Sequence, residues 1–253
     1  MKILLSPAKS LNEECPIDRA DFTQPKLINQ TKILAANLKA KSVKDLQLLM
    51  KLSLSLAELN YERFQNWNMP FNVKNAIPCG WMFNGDAYRG LEYNSLNEEE
   101  IAFSQKTLRI ISGFYGILRP LDLIQAYRLE MGTRLQISED VKNLYTFWGD
   151  IITDELNKEI ANDEVIVNLA SNEYFKAINF KRLKGKLVTC SFKEDRGGDI
   201  KMIMSYAKKA RGLMSRYIIQ NNIESHEGLL GFEEEGYAYD SRLSSEKELI
   251  FVR

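Results

Sequence analysis

The chain opens on an apolar run, Ile3, Leu4 and Leu5, that stops at Ser6-Pro7, where proline lacks a ladder donor and biases its neighbour to extended geometry. This pattern predicts an N-terminal strand with Lys9 just past its carboxyl end. Over 43–64, VKDLQLLMKLSLSLAELNYERF, apolar residues recur at helical spacing on both sides of a short break. Two short antiparallel helices are expected, over 43–50 and 56–64, around a hairpin at 51–55 in which Ser53 or Ser55 caps the second.

The apolar run in PCGWMFNGDAYRGL, 78–91, ends at Asn84-Gly85-Asp86, a turn signal, and predicts a strand followed by a loop. Asn97 before Glu98, Glu99 and Glu100 reads as an N-cap with acids where the helix dipole favours them. That helix is expected to run to Ser112, with Gly113 closing it. Residues 113–132 mix aromatics, glycines and a proline and read as a tight connection; 150–160 read as a helix, with Asp150 in its first turn. VIVNL, 165–169, is a buried-type strand, and Ser171 to Glu173 open another helix. Strands are expected over 186–192 and 199–206.

In the next segment Ala210, Leu213, Met214, Tyr217 and Ile218 recur at steps of three and four, so a helix is expected over 207–219. Its first turn would then carry Lys208, Lys209 and Arg211, cations at the positive end of the helix dipole. Like-charge repulsion adds to the cost, by a few tenths of a kcal/mol per charge. An anion bound there reverses the sign of both effects and accepts the free amides. Pairing with the acids of 233–235 is the alternative.

Composition narrows the choices. The 253 residues are long enough for one full core, and 34 Lys plus Arg balance 34 Asp plus Glu, so no global polyelectrolyte character exists. The balance is uneven along the chain: residues 176–216 hold twelve cations against three acids, a net of +9, and 217–253 hold three against eight, a net of −5. Either the acidic tail folds over the basic segment, or that segment is an exposed patch for an anionic partner. Cys15, Cys79 and Cys190 are odd in number and far apart, suggesting neither disulfides nor a zinc site. The one histidine, His226, reads as a solvated loop residue and excludes chemistry built on histidine pairs. No stretch reads as a signal peptide or membrane span, which predicts a cytoplasmic chain.

Taken in order, LLSPAKSLN, FNGDAYRGL, LRIISGFYGILRPLDLIQAYRLEMG, LYTFWGDIIT, VIVNLASNEYFKAI, SYAKKARGLMSRYII and LLGFEEEGYAYD resemble, end to end, the YaaA family of bacterial peroxide-stress proteins. The expectation is therefore one compact domain over 1–253, of mixed α/β (α+β) fold, with a helix-hairpin-helix-like element. The resemblance implies a cytosolic protein that helps cells survive peroxide, partly by keeping unincorporated iron low. It also implies binding to double-stranded DNA through a basic cleft and that element; duplex or distorted DNA is the expected partner, and no cofactor and no membrane are expected. The pair at 43–64 has the layout, but its hairpin lacks the glycines that let amides approach phosphate; Lys51, Ser53 and Ser55 are one candidate contact, and Gly113 and Gly116 a second. Lys9, Arg119, Arg128, Arg134, Lys208, Lys209, Arg211 and Arg216 lie in the resembling motifs and are the candidate cleft cations.

The rival is an enzyme acting on a nucleic acid or a small anionic substrate. Asp86, Glu130, Asp150 and Glu173 stand in or beside the motifs and, if clustered, would serve as acid and base or hold a divalent ion. No Walker loop, GxSxG or CxxC names a reaction. Direct iron sequestration is the weaker third reading, because imidazole and thiolate ligands are scarce.

Overall fold

The structure, a computed structural model, describes residues 1–14 and 19–253; Cys15 lies outside them. The elements run β1 (Lys2–Leu5), α1 (Ile28–Lys39), α2 (Val43–Met50), α3 (Leu54–Asn66), β2 (Ile77–Pro78), α4 (Cys79–Met82), α5 (Asp86–Leu91) and α6 (Glu98–Thr107). There follow β3 (Leu108–Ser112), β4 (Gly116–Leu118), β5 (Leu123–Ile124), α7 (Leu144–Trp148), α8 (Ile151–Asn157), β6 (Val165–Leu169) and α9 (Asn172–Phe175). The chain ends with β7 (Lys186–Asp195), β8 (Ile200–Lys201), α10 (Met204–Gln220), α11 (His226–Leu229), β9 (Ala238–Tyr239) and β10 (Glu248–Val252).

One sheet orders the strands β4-β3-β1-β6-β7-β10-β9, with β8 paired to β7. The pairs from β3 through β10 are parallel, and β4 and β9 close the two edges antiparallel. Parallel strands buried on both faces explain the unalternated apolar runs: Ile3, Leu4, Leu5, Ile166, Val167 and Leu169 are all fully buried. The mixed α/β expectation is met, in a single compact domain with a mostly parallel central sheet. Numbered among themselves in chain order, the parallel strands lie 2-1-3-4-5, so the winding reverses at β1 and leaves a switch point between the carboxyl ends of β1 and β6.

The structure corrects several boundaries. The strand expected before the Asn84-Gly85-Asp86 turn is only Ile77–Pro78, paired with β5, and α4 and α5 take the place of the rest of that strand and of the loop expected after it. The helix capped by Asn97 stops at Thr107, because Leu108, Ile110 and Ile111 are drawn into the sheet as β3. A short fully buried run carries no period, so a strand there looks like helix continuation. Residues 113–132 supply the short strands β4 and β5, and the helix expected to reach 160 ends at Asn157. His226 opens α11 and is not a loop residue. The acidic tail, for which no strand was expected, contributes β10, which lies between β7 and β9.

The most consequential correction concerns α10. Its N-cap is Ile203 and its first residue Met204, so Lys208, Lys209 and Arg211 fall beyond the first turn. The alternation Ile200, Met202, Met204, Tyr206 imitated a strand, yet Met202, Met204 and Tyr206 are exposed. The supposed dipole conflict is therefore relieved by one more turn of helix.

Asn97 does cap α6: its Oδ1 accepts from the Glu100 amide at 3.0 Å, and the Glu100 carboxylate accepts from the Asn97 amide at 2.8 Å. Replacing Asn97 with alanine is expected to cost about 1 kcal/mol, read as a lower urea midpoint at unchanged slope.

Candidate functional site

The crevice outside the carboxyl ends of β1 and β6 is assembled from the loop after β1. The Ser171 amide donates to Ser6 Oγ at 2.9 Å and ties the two strand ends together. Tyr88 of α5 donates its hydroxyl to the Ser6 carbonyl at 3.0 Å, and burial holds that phenol well above its ordinary pKa. Beyond Ser6 the chain pairs with the segment after α4: the Asn12 amide donates to Met82 O at 2.7 Å and the Asn84 amide to Ser10 O at 3.0 Å, with a bridge between Leu11 and Phe83.

Several residues singled out in the sequence meet at this edge. Lys9 Nζ lies 2.8 Å from Glu130, and Arg128 lies 3.5 Å from the same carboxylate. Glu173 accepts from the Gly132 amide at 2.8 Å, so Glu130 and Glu173 flank one short segment. Arg134, two residues further on, is exposed and has no carboxylate partner among the described residues. Asp86 and Asp150 are engaged with other partners. Asp86 pairs with Arg89 at 3.2 Å, and Asp150 accepts from Asn179 at 2.8 Å and pairs with Arg182; the Asn179 hydrogen bond, with Arg182, lowers its pKa. Among the described residues no three His, Cys, Asp or Glu side chains gather to hold a metal ion.

The other cations divide by role. Arg119 is far from the crevice, clamped by buried Asp122 at 2.8 Å. Arg216 caps the end of α5 through Leu91 O at 3.1 Å and Glu92 O at 3.2 Å, and also donates to Ser95 Oγ at 2.7 Å. Lys209 pairs with Glu235, so the acidic tail does reach the basic segment, but only there does it form an ion pair with that segment's helix. Lys208 and Arg211 have no carboxylate partner among the described residues; Lys208 is exposed, and Arg211 is half-buried, with burial lowering its pKa.

The two hairpin candidates also differ. α2 and α3 are joined by Lys51, Leu52 and Ser53, with Lys51 in the left-handed region at φ 53° and Ser53 capping α3 through the Leu56 amide at 3.4 Å. Ser55 Oγ lies 3.2 Å from Ser53 Oγ. Lys51, Ser53 and Ser55 are exposed. Gly113 and Gly116 form the buried β3–β4 turn: a Cβ at Gly113 would stand 2.5 Å from Leu129 O, and one at Gly116 2.7 Å from Leu27. Close packing accounts for both glycines.

Beside the crevice a groove of about 570 Å³ opens between the Asn12 and Asn84 segments, α4, α5 and Lys209 of α10. Trp81, Phe83, Tyr88 and Tyr93 supply its aromatic wall. Sequence reasoning missed it. The turn at Asn84-Gly85 marked the place, but reading 78–91 as a strand followed by a loop hid the fact that Trp81 and Asn84 share one concave surface with Asn94.

The fold and site define a mostly parallel α/β protein whose polar residues converge on a carboxyl-edge crevice flanked by an aromatic groove. Residues 1–243 match the family model described as peroxide stress protein YaaA, and the chain belongs to that family. It is 51% identical to a UPF0246 protein of Flavobacterium psychrophilum, over all of both chains. It is also 47% identical to a UPF0246 protein of Neisseria meningitidis serogroup A, covering all of this chain and 98% of that one. No helix among the described residues is long and apolar enough to cross a membrane.

Proposed function

We propose that this protein binds DNA through its phosphates during peroxide stress, and that its occupancy limits access of iron and peroxide to the backbone. One observation carries the reading: Lys208 and Arg211 of α10 stand one turn apart without a carboxylate partner among the described residues. Burial already disfavours the Arg211 charge, so an arriving phosphate restores what desolvation removed. The α2–α3 hairpin supports it from a second surface, because Lys51 is exposed beside the start of the 13-residue helix α3. Contacts of this kind position a duplex without reading its bases.

The test is fluorescence anisotropy of labelled duplex over a salt series, with wild type and the Lys208→Ala/Arg211→Ala variant. Wild-type affinity should fall steeply with salt, and the variant should bind more weakly with a log–log slope shallower by about 2. Equal slopes, or no duplex binding by wild type, would overturn it. In that event the pair Glu130 and Glu173, beside Lys9, makes an enzyme acting on a small anionic substrate the better reading.

A further inference from the structure

The groove beside the crevice differs in chemistry from a phosphate surface. Its rim carries Arg89 and Lys209, but Asp86 and Glu235 pair with them and Glu92 adds another negative charge. A polyanion gains little there. What the groove offers is aromatic surface and amides. The rings of Trp81 and Tyr93 meet edge to face, with centroids 4.7 Å apart. Tyr93 is fixed from behind by Ser104 Oγ at 2.9 Å, and Gly80 lets its ring close in, since a Cβ there would stand 2.6 Å from it.

Three carboxamides, Asn12, Asn84 and Asn94, line the same space, and none has a side-chain hydrogen bond among the described residues. Main-chain pairing across Leu11 and Phe83 sets where the first two begin. A primary amide presents a donor and an acceptor side by side, the complement of a nucleobase edge. Proteins that bind unstacked strands use this combination of aromatic surface and edge-directed hydrogen bonds. The volume lies within the range of small-molecule sites.

We infer that the groove receives one unstacked nucleobase, held by the aromatic wall and the three carboxamides. The base could come from a distorted strand or from a free nucleotide. The strand source rests on the DNA reading above; the groove chemistry does not.

The experiment has two arms. In the first, each of the four deoxynucleoside monophosphates is titrated into the full chain, with binding followed by Trp81 fluorescence and by calorimetry. Trp67 and Trp148 are buried, so the groove signal belongs to Trp81 and is lost in Trp81→Phe. Saturable quenching is expected, weakened at least fivefold in Asn84→Ala/Asn94→Ala. The single variant Asn94→Ala, at an exposed position, covers the case in which the double variant fails to fold. In the second arm, anisotropy compares bubble with fully paired DNA. A strand source predicts that the asparagine variants lose the preference for the bubble while duplex affinity is unchanged. Mononucleotide binding with no difference between the two DNAs assigns the groove to free nucleotides. If no mononucleotide binds and the variants keep the wild-type bubble preference, the inference falls, while salt-dependent duplex binding would leave the phosphate reading intact.

Discussion

Replacing Gly212 with alanine is expected to destabilise the protein by about 3 kcal/mol, although glycine to alanine inside a helix ordinarily stabilises by about 1 kcal/mol. The sign reverses because α5 and α10 cross backbone to backbone. A Cβ on Gly212 would stand 1.7 Å from the Ala87 carbonyl oxygen and 2.8 Å from the Leu91 nitrogen. Gly90 is the reciprocal contact, its Cβ position lying 2.3 Å from Lys209 O. Neither neighbour is a side chain that can swing away. The helices must separate, and Arg216, which holds the end of α5 through Leu91 O and Glu92 O, would lose its acceptors. The groove should loosen as well, since α5 carries Tyr88 and Arg89 and α10 carries Lys209. Urea unfolding of Gly212→Ala against Ser205→Ala, an exposed change on the same helix expected within about 0.5 kcal/mol, measures this. A Gly212→Ala midpoint at or above wild type would disprove the close crossing.

A loss of about 3 kcal/mol is also expected for Glu159→Gln at neutral pH. Arg109 is almost fully buried on β3, and Glu159 accepts from its Nε at 2.9 Å and also pairs with Lys26. Arg109 Nη2 also donates to Glu159, and the other Arg109 bonds go to the carbonyls of Gln105, Lys106 and Leu108, so the carboxylate is its one negative partner among the described residues. Burial pushes the Glu159 pKa up, but hydrogen bonds from Lys26 and Arg109 outweigh it and hold the carboxyl at about 2, below its ordinary 4.5. A depressed folded-state pKa contributes stability that is fully present above 4.5 and is lost as pH falls through about 2. The gap between wild type and Glu159→Gln should therefore be constant above pH 5 and narrow toward pH 2. A gap independent of pH would mean that the ion pair contributes nothing through its charge.

Both predictions rest on features the sequence concealed. Arg109 sits in LRIIS, where a helix was expected to continue; only the tertiary pull of the sheet turns it into a strand and buries the guanidinium. Gly90 and Gly212 lie 122 positions apart, and nothing local announces that they face each other. Periodicity and capping do locate the elements that depend on near neighbours: β1, β6, α2 and the cap of α6 stand where the sequence put them. Of the site, Lys9, Arg128, Glu130 and Glu173 share the carboxyl edge, and the motifs had already marked them. Arg119 and Arg216 were equally conspicuous as cations, but their acceptors, the Asp122 carboxylate and main-chain carbonyls of α5, become apparent only once the chain is folded. The groove was illegible because residues 80–95 close it only together with Asn12 and Lys209, which are distant in the chain.

The short antiparallel strands that finish the sheet have a bearing on how these molecules behave in a crowd. β9 spans two residues, and β4 spans three that are buried. Strand edges this brief give an extended segment of another chain almost nothing to template upon. Copies of this chain at high local concentration thus find little free edge along which to zipper into a shared β-structure.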